Sequence, residues 1–150
     1  MKVNVDAAVL NDSSGAVAVV CRGSNRVFLG ASSITFKHMH DPVTLEALAV
    51  REALALAEDL YVQKIHVASD CKIVVDEIKQ GTSSNHAAVV HEIIERSNAF
   101  IACNFVHEFR SSNFEAHNLA RHALSLGLGR RVWLGLPGDL NFIPVNVVTI

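Results

Sequence analysis

Three carboxylates stand out by the company they keep. Asp6 lies in the run Lys2 to Leu10, KVNVDAAVL, where Val3, Val5 and Ala7 alternate with Asn4, Asp6 and Ala8 in the period of a two-faced strand. An acidic residue inside a hydrophobic strand loses hydration on burial, so it must be paired, bound to a cation or open to a cleft. Asp70 follows the short apolar run Lys64 to Ala68 (KIHVA), and Glu46 falls in the first turn of an Ala- and Leu-rich stretch. Brought together, such groups repel and cannot all stay ionised unless a cation holds them. Oxygen-only ligands favour Mg²⁺ or Mn²⁺ over zinc. Two such ions about 3.5–4 Å apart are the usual machinery for in-line hydrolysis of a phosphodiester.

Plainer roles exist for two of the three. Asp70 could cap the helix that follows it, and Glu46 could be a solvent-facing residue favoured by the helix dipole. Glu52, on another face of the same helix, and Asp76 and Glu77 on the next one, are expected to be solvated. His38 and His40 are two apart but sit in a polar strand-to-helix loop.

The elements that must position these residues follow in order. Gly15 to Arg22 and Arg26 to Phe36 read as second and third strands joined by short turns, an antiparallel meander, with Gly30 a bulge or close-approach point. Asp41-Pro42 opens a helix, with Asp41 as N-cap and Pro42 in the first helical position. Its body, Thr44 to Tyr61, has a broad apolar face suited to packing deep against a sheet. Lys64 to Ala68 is a fourth strand, Cys71 to Gln80 a short helix ended by Gly81, and Thr82 to Asn85 a polar loop. A helix from about His86 to Phe100, a fifth strand Cys103 to Phe109 and a last helix Phe114 to Leu126 complete the pattern. The order β-β-β-α-β-α-α-β-α predicts an α/β fold with a five-stranded mixed sheet and helices on its faces. Right-handed crossovers set strands four and five parallel to a central first strand. Ligands gather at the carboxyl ends of strands in such sheets, which brings Asp6, Asp70 and Glu46 together.

The chain has 150 residues, half of them hydrophobic, and a net charge of -2. That length suits one domain, and the charge argues against a broad basic surface gripping nucleic acid by charge alone. Cys21, Cys71 and Cys103 form no C-x-x-C pair, which disfavours a disulfide framework or a zinc ribbon and fits a reducing compartment. No charged-then-apolar leader and no bilayer-spanning run is visible, so an intracellular protein, cytoplasmic or nuclear, is expected. Residues 1–130 are expected to form the domain. Residues 131–150 form an apolar tail that covers the chain's own sheet or helices, or pairs with a second copy as a homodimer.

The segments VNVDAAV, EALAVREALALA, VASDCKIVV and FVHEFRSSNFEAHNLARHA, in that order, resemble the ribonuclease H fold. They are most similar to the reverse-transcriptase-like ribonuclease H domains that plants carry, alone or in retroelement-derived proteins. The resemblance spans about Val3 to Ala123. It implies metal ligands at Asp6, Glu46 and Asp70, and it places the family's fourth ligand position on His117, where well-known active enzymes have Asp. His117 is then a ligand, a proton shuttle or a hydrogen-bonded helix histidine. Ala7 stands where a Gly usually lets the backbone approach the RNA strand, and Asn113 opens the N-x-x-A-H-x-L-A pattern. The flexible His-bearing loop of many relatives shrinks here to Arg110-Ser111-Ser112.

Two functions follow from the resemblance. One is a nuclease that cuts the RNA strand of an RNA–DNA hybrid with two Mg²⁺ or Mn²⁺ ions, the second held weakly because imidazole suits Mg²⁺ less well than carboxylate. The other is a nucleic-acid-binding module that has lost efficient cleavage. A pure protein-interaction role gives no physical reason to keep the carboxylate triad.

Overall fold

The computed structural model describes residues 1–11, 13–81 and 86–145. The expected loop Thr82 to Asn85 and the apolar tail residues Val147, Val148 and Ile150 lie outside that set. A mixed sheet carries β1 (Lys2–Leu10), β2 (Ser14–Arg22), β3 (Phe28–Lys37), β4 (Lys64–Ser69), β5 (Ala102–His107) and β6 (Gly129–Leu134). Their spatial order is β5-β4-β1-β2-β3-β6. β4 runs parallel to both β1 and β5, while β1, β2, β3 and β6 are antiparallel neighbours. The helices are α1 (Pro42–Asp59), α2 (Lys72–Gln80), α3 (Ala87–Ser97) and α4 (Phe114–Ala123).

The sheet has six strands, not the five expected. Gly127, Gly129 and Gly135 read as breakers, yet Gly129 (φ 110°) and Gly135 (φ 81°) sit at the two ends of β6 and delimit it. Between them Arg130 to Leu134 adds a strand to the edge of β3, Ile34 opposite Arg130 and Ala31 opposite Trp133. Residues 130 and 131 are thus consecutive members of one strand. Further along the tail, Leu140 and Ile143 are buried on the chain's own sheet.

The sheet divides the core in two, as strand alternation requires. Val3, Val5, Val17, Val19 and Cys21 pack under α1 with Leu45, Ala49 and Leu56. Ala18, Val20, Phe28 and Ala31 pack on the other side under Leu119 and Ala120 of α4, with Leu140 and Ile143. α1 begins where its signals place it. The Asp41 carboxylate accepts the Thr44 N–H at 3.1 Å, satisfying one of the unpaired donors of the first turn, and Pro42 leads the helix. Gly30 is a point of close approach, since a Cβ there would stand 3.1 Å from Leu60 Cδ1 and from the Trp133 carbonyl.

Glu52 corrects another expectation. It is 4% exposed, and Arg130 Nε donates to its Oε1 at 2.7 Å while Arg130 Nη2 donates to Asp59 at 2.7 Å. The unexpected strand β6 delivers that arginine over α1, so Glu52 is buried beneath it. Asp76 and Glu77 are half-buried rather than solvated, Glu77 Oε2 lying 2.6 Å from His86 Nε2 and Asp76 3.2 Å from Lys72.

Candidate active site

The site is built on β1 because β1 is interior. Asn4, Asp6 and Ala8 share the face opposite the valines, so Asp6 points toward α4 and is 3% exposed. The parallel register of β1 with β4 places Asn4 beside Ala68. Two residues further along each strand stand Asp6 and Asp70, which fixes their neighbourhood by strand geometry alone.

α1 supplies the third carboxylate from its second turn, not its first. Asp41 caps the helix directly before Pro42, so four helical residues precede Glu46. Carboxylate oxygens of Asp6, Glu46 and Asp70 all lie within 4.8 Å of one another, and among the described residues this is the single cluster of metal-binding type. Glu46 Oε2 is buried without a hydrogen-bond partner. Burial, then the charges of Asp6 and Asp70, push the Glu46 carboxyl up to about 9, against a hydrogen bond from the Ala7 backbone N–H. Burial and Asp6 also raise Asp70, while Arg110 and His117 pull it back down. Three crowded carboxylates, one with a buried orphan oxygen, fit a hard divalent cation with oxygen ligands.

α4 brings His117, whose Nδ1 lies 2.8 Å from Asp6 Oδ2 with the imidazole a quarter exposed. Asn113 fixes that helix in place. Its Nδ2 donates to the Val5 carbonyl at 2.6 Å, its Oδ1 accepts from Asn4 Nδ2 at 3.0 Å, and it is buried. Both ends of the Asn113 amide are therefore used inside the protein, bracing α4 against β1. Ala7 turns its methyl to the α1 side of the core and offers its backbone N–H to Glu46. Asn4 and Arg110 were not singled out by sequence. Asn4 was findable, since alternation puts it on the same strand face as Asp6. Arg110, in the 3-10 turn Arg110–Ser112, reaches Asp70 only through tertiary folding.

A six-stranded mixed sheet with helices on both faces and carboxylates at its centre is a ribonuclease H-like domain. A family model described as reverse transcriptase-like matches residues 4–123, and the chain belongs to that family. RNase H1 of the halophilic archaeon Halobacterium salinarum superposes with a TM-score of 0.77 at 20% identity, over 84% of this chain and 98% of its own. LC11-RNase H1, isolated from compost and solved with an RNA/DNA hybrid, gives 0.72 at 17% identity over 82% and 95%. The foamy viral protease-reverse transcriptase with an RNA/DNA hybrid gives 0.67 at 15% identity, over 84% of this chain and 20% of that one. No curated protein sequence matches the chain. Among the described residues, no helix is long and apolar enough to cross a membrane.

Proposed function

We propose that the chain is a divalent-metal-dependent endonuclease of ribonuclease H type, cutting the RNA strand of RNA–DNA hybrids. The convergence of Asp6, Glu46 and Asp70, with oxygens within 4.8 Å of one another, carries this reading. Solved relatives of the same fold whose structures hold an RNA/DNA hybrid support it. Asp6, Glu46 and Asp70 would hold Mg²⁺ or Mn²⁺, which when bound supplies an activated water and neutralises charge at the leaving 3′-oxygen.

The chain's own groups do the rest. Asp6 is held rigidly by the central strand. Glu46 carries a proton that must leave before its carboxylate can serve as a ligand, so loading of the site releases a proton. His117, donating from Nδ1, orients the Asp6 carboxylate as an outer partner does for a metal ligand, and its Nε2 is then available for proton transfer. Asn113 sets the height of His117 along β1. Selectivity for a hybrid comes from duplex shape and 2′-hydroxyl contacts rather than base sequence.

One observation favours a second reading, a nucleic-acid-binding module with little cleavage. His117 occupies an oxygen of Asp6 and brings an imidazole where a fourth carboxylate would strengthen a second cation site. A labelled hybrid incubated in Mg²⁺ and in Mn²⁺ in parallel separates the two. Cleavage of the RNA strand in either metal supports the nuclease; tight binding without cleavage in both supports the module.

A further inference from the structure

β6 lies at a margin of the sheet, and its outer side is unused. The Gly135 N–H donates to the Leu29 carbonyl at 2.8 Å, so the antiparallel ladder turns the backbone groups of residues 129, 131, 133 and 135 toward β3. The backbone N–H and C=O groups of Arg130, Val132 and Leu134 point the other way. Among the described residues no hydrogen bond reaches them.

The side chains along this edge are apolar or already neutralised. Arg130 lies over α1, held by Glu52 and Asp59, so its charge does not guard the edge. Val132 and Leu134 share that face and stay exposed, as does Leu136 just beyond, although Leu140 and Ile143 further on are buried. On the opposite face the Trp133 indole is fixed by its Nε1 donating to Asp139 at 2.9 Å. The other margin differs, since the exposed residues within β5 are Ala102, Asn104 and His107.

A second copy of β6 fits this edge in one register. Residues directly opposite in an antiparallel pair share a face, so in a two-fold pairing their numbers add to an even total. Centring on Arg131 sets it against its own copy, like charge on like charge. Centring on Trp133 needs residues past Gly135, whose φ of 81° ends the strand. Centring on Val132 uses residues 130–134 whole. Val132 then meets Val132, and Leu134 lies along the aliphatic stem of Arg130. Arg131 of each copy faces Trp133 of the other, a cation over an indole. Every outward N–H and C=O of residues 130, 132 and 134 finds a partner.

We infer that two copies of this chain pair antiparallel through β6, about a two-fold axis at Val132, joining their sheets into one. The inference goes beyond the nuclease reading and does not depend on it. The seam is smaller than the roughly 800 Å² per partner of a standard stable interface, so the pair forms and parts with concentration.

Sedimentation velocity from about 1 to about 100 µM should show a species of 16.3 kDa giving way to one of twice that mass. Val132→Lys sets two ammonium groups opposite each other at the axis and should raise the dissociation constant about tenfold or more. Disulfide trapping under mild oxidation reads the register. The two Cα atoms of position 132 stand about 5.5 Å apart, inside the range a disulfide spans, so Val132→Cys should link. Those of position 134 are about 13 Å apart along the strands, so Leu134→Cys should not. The parent, with its half-buried Cys71 and Cys103, is the blank. A parent that stays at 16.3 kDa throughout overturns the inference, including one that instead takes up an extended peptide along β6. So does a dimer unmoved by folded Val132→Lys, or one in which Leu134→Cys links as readily as Val132→Cys. Should Val132→Lys fail to fold, the contrast between the two cysteine variants decides the point.

Discussion

His117 Nδ1 stands 2.8 Å from Asp6 Oδ2, joining the first turns of the last helix to the middle of the central strand. Asp6 thus has a partner other than a cation, and the worth of that partner can be measured. Replacing His117 with Ala removes the group that orients Asp6, and losses of this kind typically run to about 10–100-fold in metal affinity or activity. His117→Asp adds a fourth oxygen ligand and should raise cleavage in Mg²⁺ above the parent while narrowing the advantage of Mn²⁺. Initial rates in the two metals are the measurement, and an inactive His117→Asp would mean that the imidazole itself handles a proton.

Asp6→Asn and Asp70→Asn should each abolish cleavage while leaving the circular dichroism spectrum unchanged, because each keeps its side-chain volume and loses the anionic oxygen that a cation needs. Retained cleavage in either variant would remove that residue from the metal site.

Glu46 links the site to stability. Its carboxyl is raised from 4.5 to about 9 in the folded chain. Between those values the folded protein keeps a proton that the unfolded chain has released, so stability is greatest below the lower value and falls as pH rises toward the upper one. The raised Asp70 acts in the same direction. Thermal melts in a chelator should show Tm falling from about pH 5 to about pH 9. Glu46→Gln should flatten that slope and melt higher than the parent at the alkaline end. Added Mg²⁺ should raise Tm most where the parent is weakest, at high pH.

Arg130→Ala strips Glu52 of its arginine. Removing one partner of a buried pair typically costs about 3–5 kcal/mol, and the partial exposure of Arg130 puts this case nearer about 2–3 kcal/mol. For a chain of this size that is a fall in Tm of roughly 5–10 °C. Changing both residues to apolar ones, Glu52→Leu with Arg130→Val, should recover most of the loss. A Tm unchanged in Arg130→Ala would mean that water serves Glu52 equally well.

Deleting residues 141–150 removes Ile143, buried against α4's side of the sheet, and the Pro144 and Val145 carbonyls that Arg22 and the Phe28 N–H use. Burial of one such side chain is worth about 2–3 kcal/mol, and each lost hydrogen bond adds about 1 kcal/mol. Urea unfolding should show a lower midpoint. A truncated chain with the parent's midpoint would show that this segment contributes nothing to the fold.

How far the sequence went depended on whether a signal was local. Asp41-Pro42 and Gly81 end helices through their own backbone chemistry, and the structure has helix boundaries at those residues. Alternation in KVNVDAAVL put Asp6 on the face opposite the valines before any partner was known. β6 was hidden because its neighbours are glycines and its pairing partner, β3, lies about a hundred residues earlier. Glu52 was misjudged for the same reason: an acidic residue reads as solvated until the arginine that buries it is in view. The bracing by Asn113 was illegible too, since an amide that donates to a strand carbonyl leaves no periodic trace.

Asp6 lies on a strand with two neighbours on one side of the sheet and three on the other. Fraying starts at sheet margins, where fewer hydrogen bonds hold the chain, and reaches an interior strand only when the whole unit opens. Amide protons of Val3 to Asp6 should therefore exchange with solvent on the timescale of global unfolding, long after those of β5 and β6. A gentle rise in temperature would loosen the margins while the strand bearing Asp6 holds its shape until the domain melts.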